Sequence, residues 1–260
     1  IEGIAGIVNG TTNFILTMMI EKGMSFDEAL KIAQEKGYAE KDPTADVEGH
    51  DACRKVCILA SLAFGKHVYP NQVETEGITN ITLEDVSYIE NAGGVIKLLG
   101  QIKYINDNEI AAFVSPAVVY NGSQLASVKD VFNAILVRGD AVGDVCFYGP
   151  GAGKLPTASA VVADIIDCAK HSERKKIFGW GAGAEDYVVD YKERIEMPFY
   201  VRAKATPAEI NAKFSDVKFL SRKGQPSDEV AFITDIMTEN KLNKKLDGIN
   251  VINTIKVANY

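Results

Sequence analysis

Residues 33–55 read AQEKGYAEKDPTADVEGHDACRK: a helix end, an acid-rich turn and a second helix start, closed by a lysine. Just upstream, Ser25 and Glu28 have the spacing of a capping box, in which hydroxyl and carboxylate each satisfy a free backbone N–H of the first turn. Phe26, Ala29, Leu30 and Ala33 then recur on one face, so a helix is expected until Gly37 stops it in the left-handed conformation. Asp42-Pro43 forces an extended or turning backbone, because the proline ring excludes the α conformation from the residue before it. From about Thr44 the pattern is helical again, with Ala52, Val56, Leu59, Ala60 and Ala63 on the buried side and Gly65 past the end. Asp51 and Lys55, four apart, can meet on one face of that helix. On an open surface the pair would contribute only about 0.3–0.5 kcal/mol; in a cleft it would hold the ammonium in place. So many carboxylates around a stiff Gly/Pro turn have the character of a site for a small cationic substrate.

Beyond this segment the chain reads as α+β. Thr82 caps a helix through roughly Asn91, ended by Gly93-Gly94. Segments 95–105 and 110–120 flank an Asn106-Asp107-Asn108 turn, and 133–138 and 142–148 flank Gly139-Asp140, which together predict a mainly antiparallel sheet. Residues 158–169 are helical in pattern, and 170–196 form a charged connection carrying Trp180. A second unit follows, with strands at 199–203, 217–221, 229–236 and 251–258 and helices at 208–214 and 238–246. That βαββαβ order suggests a small ferredoxin-like module. Two domains are therefore expected, at 1–195 and 196–260.

Composition narrows the function classes. The net charge of −7 disfavours nucleic acid, whose binding needs basic surface. No run of eighteen apolar residues exists, so no membrane span is expected, and Glu2 with the polar residues after it argues against a signal peptide. Cys53, Cys57, Cys146 and Cys168 fit no zinc spacing, and a reducing, cytoplasmic setting suits them. The turn Gly149-Pro150-Gly151-Ala152-Gly153-Lys154 resembles a phosphate loop, but it has too few residues between its glycines, and Leu155 stands where a Ser or Thr is required. A kinase or ATPase reading fails on those two points.

The order Ala33, Gly37-Tyr38-Ala39, Asp42-Pro43, Asp46-Val47, Gly49, Asp51, Lys55 resembles the signature of the homoserine dehydrogenase family, without a departure in this segment. The run Asn9-Gly10-Thr11-Thr12-Asn13-Phe14-Ile15 and the stretch 149–160 are also similar to segments of that family, so the likeness covers most of the first 170 residues. It implies an NAD(P)-dependent interconversion of L-homoserine and L-aspartate 4-semialdehyde, in the biosynthesis of threonine, methionine and isoleucine. Reducing an aldehyde requires stabilisation of charge developing on oxygen, and a positioned ammonium supplies both field and proton. Lys55 is the candidate, with Asp51 orienting it and favouring its charged form. By the family pattern Glu40 binds the substrate's α-ammonium, Asp46 completes the polar wall, and Tyr38, Gly10 and Thr11 line the pocket. Gly153 is the position that approaches the cofactor, NADP or NAD, and the hydride step needs no metal.

His50 is a weaker acid–base candidate, because a lysine already fills the family's acid position; His67 and His171 read as structural. Asp42 and Glu48 read as turn and surface residues. No strand–GxGxxG–helix unit occurs, so the chain is expected to be a fragment without the family's nucleotide-binding domain, and inactive alone. The resemblance further implies a homo-oligomer built through the sheet. The last sixty residues look like an ACT domain, but the turn at Thr206-Pro207 has no glycine, so an amino-acid effector is left open. The rival reading is a non-catalytic amino-acid-sensing or dimerisation protein; another amino-acid dehydrogenase is the second.

Overall fold

The computed structural model describes residues 1–174, 177 and 179–260. The first strand, β1 (Gly3–Ile7), is buried along its whole length and leads through Val8-Asn9 into α1 (Gly10–Lys22). Next come α2 (Phe26–Glu35), α3 (Thr44–Val47), α4 (His50–Phe64), the short β2 (Glu74–Thr75) and α5 (Leu83–Asn91). A long hairpin, β3 (Gly94–Asn106) and β4 (Glu109–Tyr120), is followed by a second, β5 (Phe132–Gly139) and β6 (Gly143–Pro150). Then follow α6 (Lys154–Lys170), α7 (Tyr191–Arg194), β7 (Glu196–Met197), β8 (Phe199–Lys204), α8 (Pro207–Lys213) and β9 (Val217–Leu220). The chain closes with β10 (Glu229–Thr234), β11 (Met237–Thr238), α9 (Glu239–Leu246) and β12 (Asn250–Val257).

One sheet runs through the molecule in the order β6-β5-β1-β3-β4-β12-β8-β10-β9, antiparallel except where β2 and β12 pair with β4. The last four strands, with α8 and α9, realise the expected βαββαβ order around their own apolar core of Phe199, Val201, Ile210, Phe214, Phe232 and Leu242. The main core lies between the sheet and α1, α2, α4 and α5, with Ile15, Leu16, Val56, Ile89, Ile96 and Val118 at its centre.

The two parts also meet through a buried polar cluster. Asp85, fully buried on α5, caps its own helix with Thr82 and accepts hydrogen bonds from Tyr200 Oη and Asn253 Nδ2, both at 2.9 Å, with the Arg202 guanidinium 3.2 Å away. Burial and that carboxylate push the Tyr200 phenol well above its usual range. Such a cluster tolerates no missing partner, since one unpaired charge left inside costs about 3–5 kcal/mol.

Two expectations shift. The helix foreseen from Thr44 is two helices, because Gly49 has φ +80° and turns the chain between α3 and α4. The segment after β2 packs against that turn, with Ile78 N–H donating to Val47 O at 2.8 Å. The helix expected over 158–169 starts earlier, since Lys154 and Leu155 already have helical backbone and Pro156 lies in the third position of α6. Of the expected connection at 170–196, residues 175, 176 and 178 lie outside the described residues.

Candidate active site

The cluster is assembled where the end of β1 meets the starts of α1 and α4. Asn9 caps α1, its Oδ1 accepting from Thr12 N–H at 2.9 Å. Its Nδ2 faces outward and donates to Asp46 Oδ1 at 2.7 Å and Asp51 Oδ2 at 2.8 Å. One amide thus holds two carboxylates from α3 and α4 side by side. Lys55, one turn along α4 from Asp51, donates to Asp51 Oδ2 at 2.7 Å and to Val8 O at 2.9 Å. An ammonium has three N–H donors, so with two committed here the third is left without a partner among the described residues. Side-chain exposures of 47% for Lys55 and 29% for Asp51 put the pair at a surface opening.

That opening is a cleft of about 290 Å3 bounded by Gly10, Lys55, Ile58, Asn133, Gly151 and Ala152. Gly10 is required by close approach, because a Cβ there would stand 2.7 Å from Val131 O. In the amide orientation that satisfies both its ends, Asn133 donates to Ile7 O at 3.2 Å and accepts from Gly151 N–H at 2.9 Å. The glycine turn before α6 is thereby tied to the end of β1.

Thr11 Oγ1 donates to Tyr38 O at 2.8 Å, and the Tyr38 ring stands edge-on to Phe14 with centroids 5.1 Å apart. Gly10 shares the lining of the cleft with Lys55, whereas Thr11 and Tyr38 are joined to each other and are not among the residues that bound it. Glu40 is separate: it is exposed on the turn after α2, its backbone oxygen accepts from Gln34, and its carboxylate has no partner among the described residues. Gly153 caps α6 beyond Gly151 and Ala152. Asp42 makes its turn by accepting from Thr44 N–H and Oγ1. His50 is exposed, and His67 accepts from Trp180 Nε1 at 3.0 Å.

On the opposite, buried side of α4 lie Cys53 and Cys57. The hydrogen bond shared with Cys53, and then burial, hold the Cys57 thiol protonated, as befits two small core residues. Among the described residues, no group of three His, Cys, Asp or Glu side chains is placed to hold a metal, and no helix is long and apolar enough to cross a membrane. Asn9 was quoted in the sequence motif but given no role. The usable signal was its position, an Asn directly before a helix start, which marks a cap; its reach to two acids 37 and 42 residues away has no sequence signal.

A lysine pinned by a carboxylate beside a small cleft, on a scaffold of one large mostly antiparallel sheet backed by helices, is the make-up of the substrate-side part of a small-molecule enzyme. Residues 1–166 match the sequence profile of homoserine dehydrogenase. The chain is 48% identical over 166 residues to the homoserine dehydrogenase of Bacillus subtilis, an alignment spanning 64% of this chain and 38% of that protein. In three dimensions it is similar to the homoserine dehydrogenase of Thiobacillus denitrificans, with TM-score 0.86 and 36% identity over 99% of this chain and 64% of that one. A hyperthermophilic archaeal homoserine dehydrogenase mutant in complex with NADPH is similar over 68% of this chain and 49% of that one, with TM-score 0.54 and 29% identity. The chain belongs to the homoserine dehydrogenase family, and it spans about two fifths of the length of the curated relatives it matches.

Proposed function

We propose that this chain is the substrate-holding and assembly part of an NAD(P)-dependent homoserine dehydrogenase, interconverting L-homoserine and L-aspartate 4-semialdehyde in the route to threonine, methionine and isoleucine. The observation that carries this reading is the Lys55 ammonium, held by Asp51 and Val8 O with one N–H left for the cleft. Bound NADP or NAD supplies the hydride that reduces the aldehyde, and accepts it in the reverse direction. Lys55 delivers a proton to the oxygen as negative charge develops there, and its field lowers the energy of that charge. Asp51 keeps the ammonium aimed, and Asn9 holds Asp46 beside it, so that the α-ammonium of the substrate meets Asp46 and, across the turn, Glu40. Tyr38, Gly10 and Thr11 close the wall.

For the cofactor, α6 opens without a side-chain cap at Gly153, which leaves its first N–H groups free for an acceptor next to the cleft. This chain's contribution stops there, and the remaining cofactor contacts belong to a nucleotide-binding part of the complete protein. The ordering of β8 to β12 supports an ACT-like role for residues 196–260, with an amino-acid effector as its ligand class and a domain division at 195 as part of the same reading. Homo-oligomerisation and a cytoplasmic setting complete the reading.

The test is homoserine-dependent reduction of NADP or NAD by the complete protein, with Lys55→Ala as the comparison. Loss of activity by two or more orders of magnitude, with unchanged circular dichroism, is the expected result. No activity in the complete wild-type protein would favour the sensing or dimerisation reading instead.

A further inference from the structure

Lys97, on β3, is 2% exposed, and among the described residues it makes no ion pair. Its ammonium donates to Asn13 Oδ1 at 3.0 Å and, very closely, to Val128 O. The Asn13 Nδ2 lies within hydrogen-bond distance of Val128 O, Asp130 O and Phe132 O, at 3.2, 3.0 and 3.2 Å. The ammonium and one amide thus gather the carbonyl oxygens of residues 128–132, much as a bound cation would. The loop turns at Asp130, whose φ of +52° is a left-handed conformation that Asp adopts more readily than most non-glycine residues. Further fasteners come from α1, where Thr17 Oγ1 accepts from Asp130 N–H at 3.1 Å and Glu21 pairs with Lys129 at 2.6 Å.

The loop ends at the cleft. Val131 O lies against Gly10, and Asn133 joins the loop to Ile7 and to the glycine turn at Gly151. We propose that Lys97 is a positioning residue for the active-site cleft, its ammonium holding the loop 128–132 in the place that sets Gly10 and Asn133. This rests on the dehydrogenase reading only for its catalytic readout.

Burial, and then Lys129, push the Lys97 ammonium down to about 8, with Glu21 and Asp130 acting the other way. Because the folded value lies below the unfolded one, the unfolded chain binds more protons between the two, and the Lys97 contribution to stability rises with pH across that window. A neutral Lys97 amine still has two N–H donors, enough for Asn13 Oδ1 and Val128 O, so the anchoring of the loop survives loss of the charge.

The test is amide hydrogen exchange of residues 128–133 in the complete protein between about pH 7 and about pH 9.5, corrected for intrinsic rates, together with kcat/KM, for wild type and Lys97→Met. Expected are a wild-type loop protected at both pH values, and a variant whose loop exchanges fast while α4 stays protected. The variant's kcat/KM should be roughly ten- to hundred-fold lower, since misplacement of about 1 Å costs that much. A variant loop as protected as that of the wild type, loss of protection spread equally over α4, or a variant with wild-type kcat/KM overturns the proposal. A complete protein without dehydrogenase activity defeats the functional reading, and the exchange data then decide Lys97 alone.

Discussion

At the scale of single residues, Asn9 does two jobs with one side chain. Its oxygen caps α1 and its nitrogen lies between Asp46 and Asp51, damping the repulsion of two carboxylates that share a small opening. Asn9→Ala removes both and should cost about 1–2 kcal/mol of stability, measured by urea denaturation, the cap alone being worth about 1 kcal/mol. Asn9→Ser restores a capping oxygen without the bridge, so its stability should recover while kcat/KM of the complete protein stays roughly tenfold low, because Asp51 loses a contact that fixes it against Lys55. If both properties return together, the bridge has no catalytic consequence. The Asp51–Lys55 pair could be read from spacing, because four residues along a helix fix a shared face. Asn9 and Lys97 could not be placed, since both act on partners that only the tertiary fold brings within reach, and a lysine between Ile96 and Leu98 carries no mark of burial.

At the scale of elements, local chemistry was legible wherever it is self-contained. The capping box at Ser25 and the cap at Thr82 both form, and Gly37 leaves α2 with φ +74°. The two hairpins fall within a residue or two of the turns that announce them. β1 gave no signal of its own, as Gly3-Ile4-Ala5-Gly6-Ile7 has no polar alternation: it pairs on both edges, with β3 and β5, and is buried throughout. The break at Gly49 escaped for a related reason, since a glycine before His50 reads equally well as part of a helix start. Gly49→Ala should destabilise the chain by about 1–2 kcal/mol, from the left-handed backbone together with a Cβ only 3.0 Å from Thr75 Cγ2. It should also loosen the spacing of Asp46 and Asp51, which a raised KM for homoserine in the complete protein would report.

At the scale of the whole molecule, one side has no covering. Throughout α6 no residue is buried, although Leu155, Val161, Val162, Ile165 and Ile166 lie along it, and β6 leaves Phe147 and Tyr148 more than half exposed. Uncovered apolar area of that extent marks a contact surface. Ile165→Glu with Val161→Glu should leave the thermal midpoint of the isolated chain nearly unchanged, as neither side chain is packed here, while lowering the mass of the complete protein in light scattering. An unaltered mass would assign the contact elsewhere. The seam between the main core and the last sixty residues behaves oppositely. Asp85→Ala leaves Tyr200 and Asn253 without their shared acceptor and Arg202 without its nearest counter-charge, and should cost about 3–5 kcal/mol, visible as a large drop in urea midpoint. The βαββαβ order was readable from strand and helix spacing, whereas its fusion into the main sheet was not, because it depends on β4.

Strand β4 has a divided outer edge. Phe113 and Val114 pair with β2, while Ala117 and Val118 pair with β12, so two short parallel partners lie end to end along one strand. Backbone continuity of the sheet between the large core and the terminal module therefore passes through two residue pairs, Lys256 with Ala117 and Val257 with Val118. In engineering terms this is a narrow splice: a module transplanted from a relative has little register to match at the backbone, and its compatibility is decided by side chains, those that meet Asp85 and the apolar face of Tyr200, Leu220, Ile233 and Ile255 that enters the main core. Deleting the module would bare a hydrophobic strand edge at Ala117-Val118 to any other chain in search of a partner.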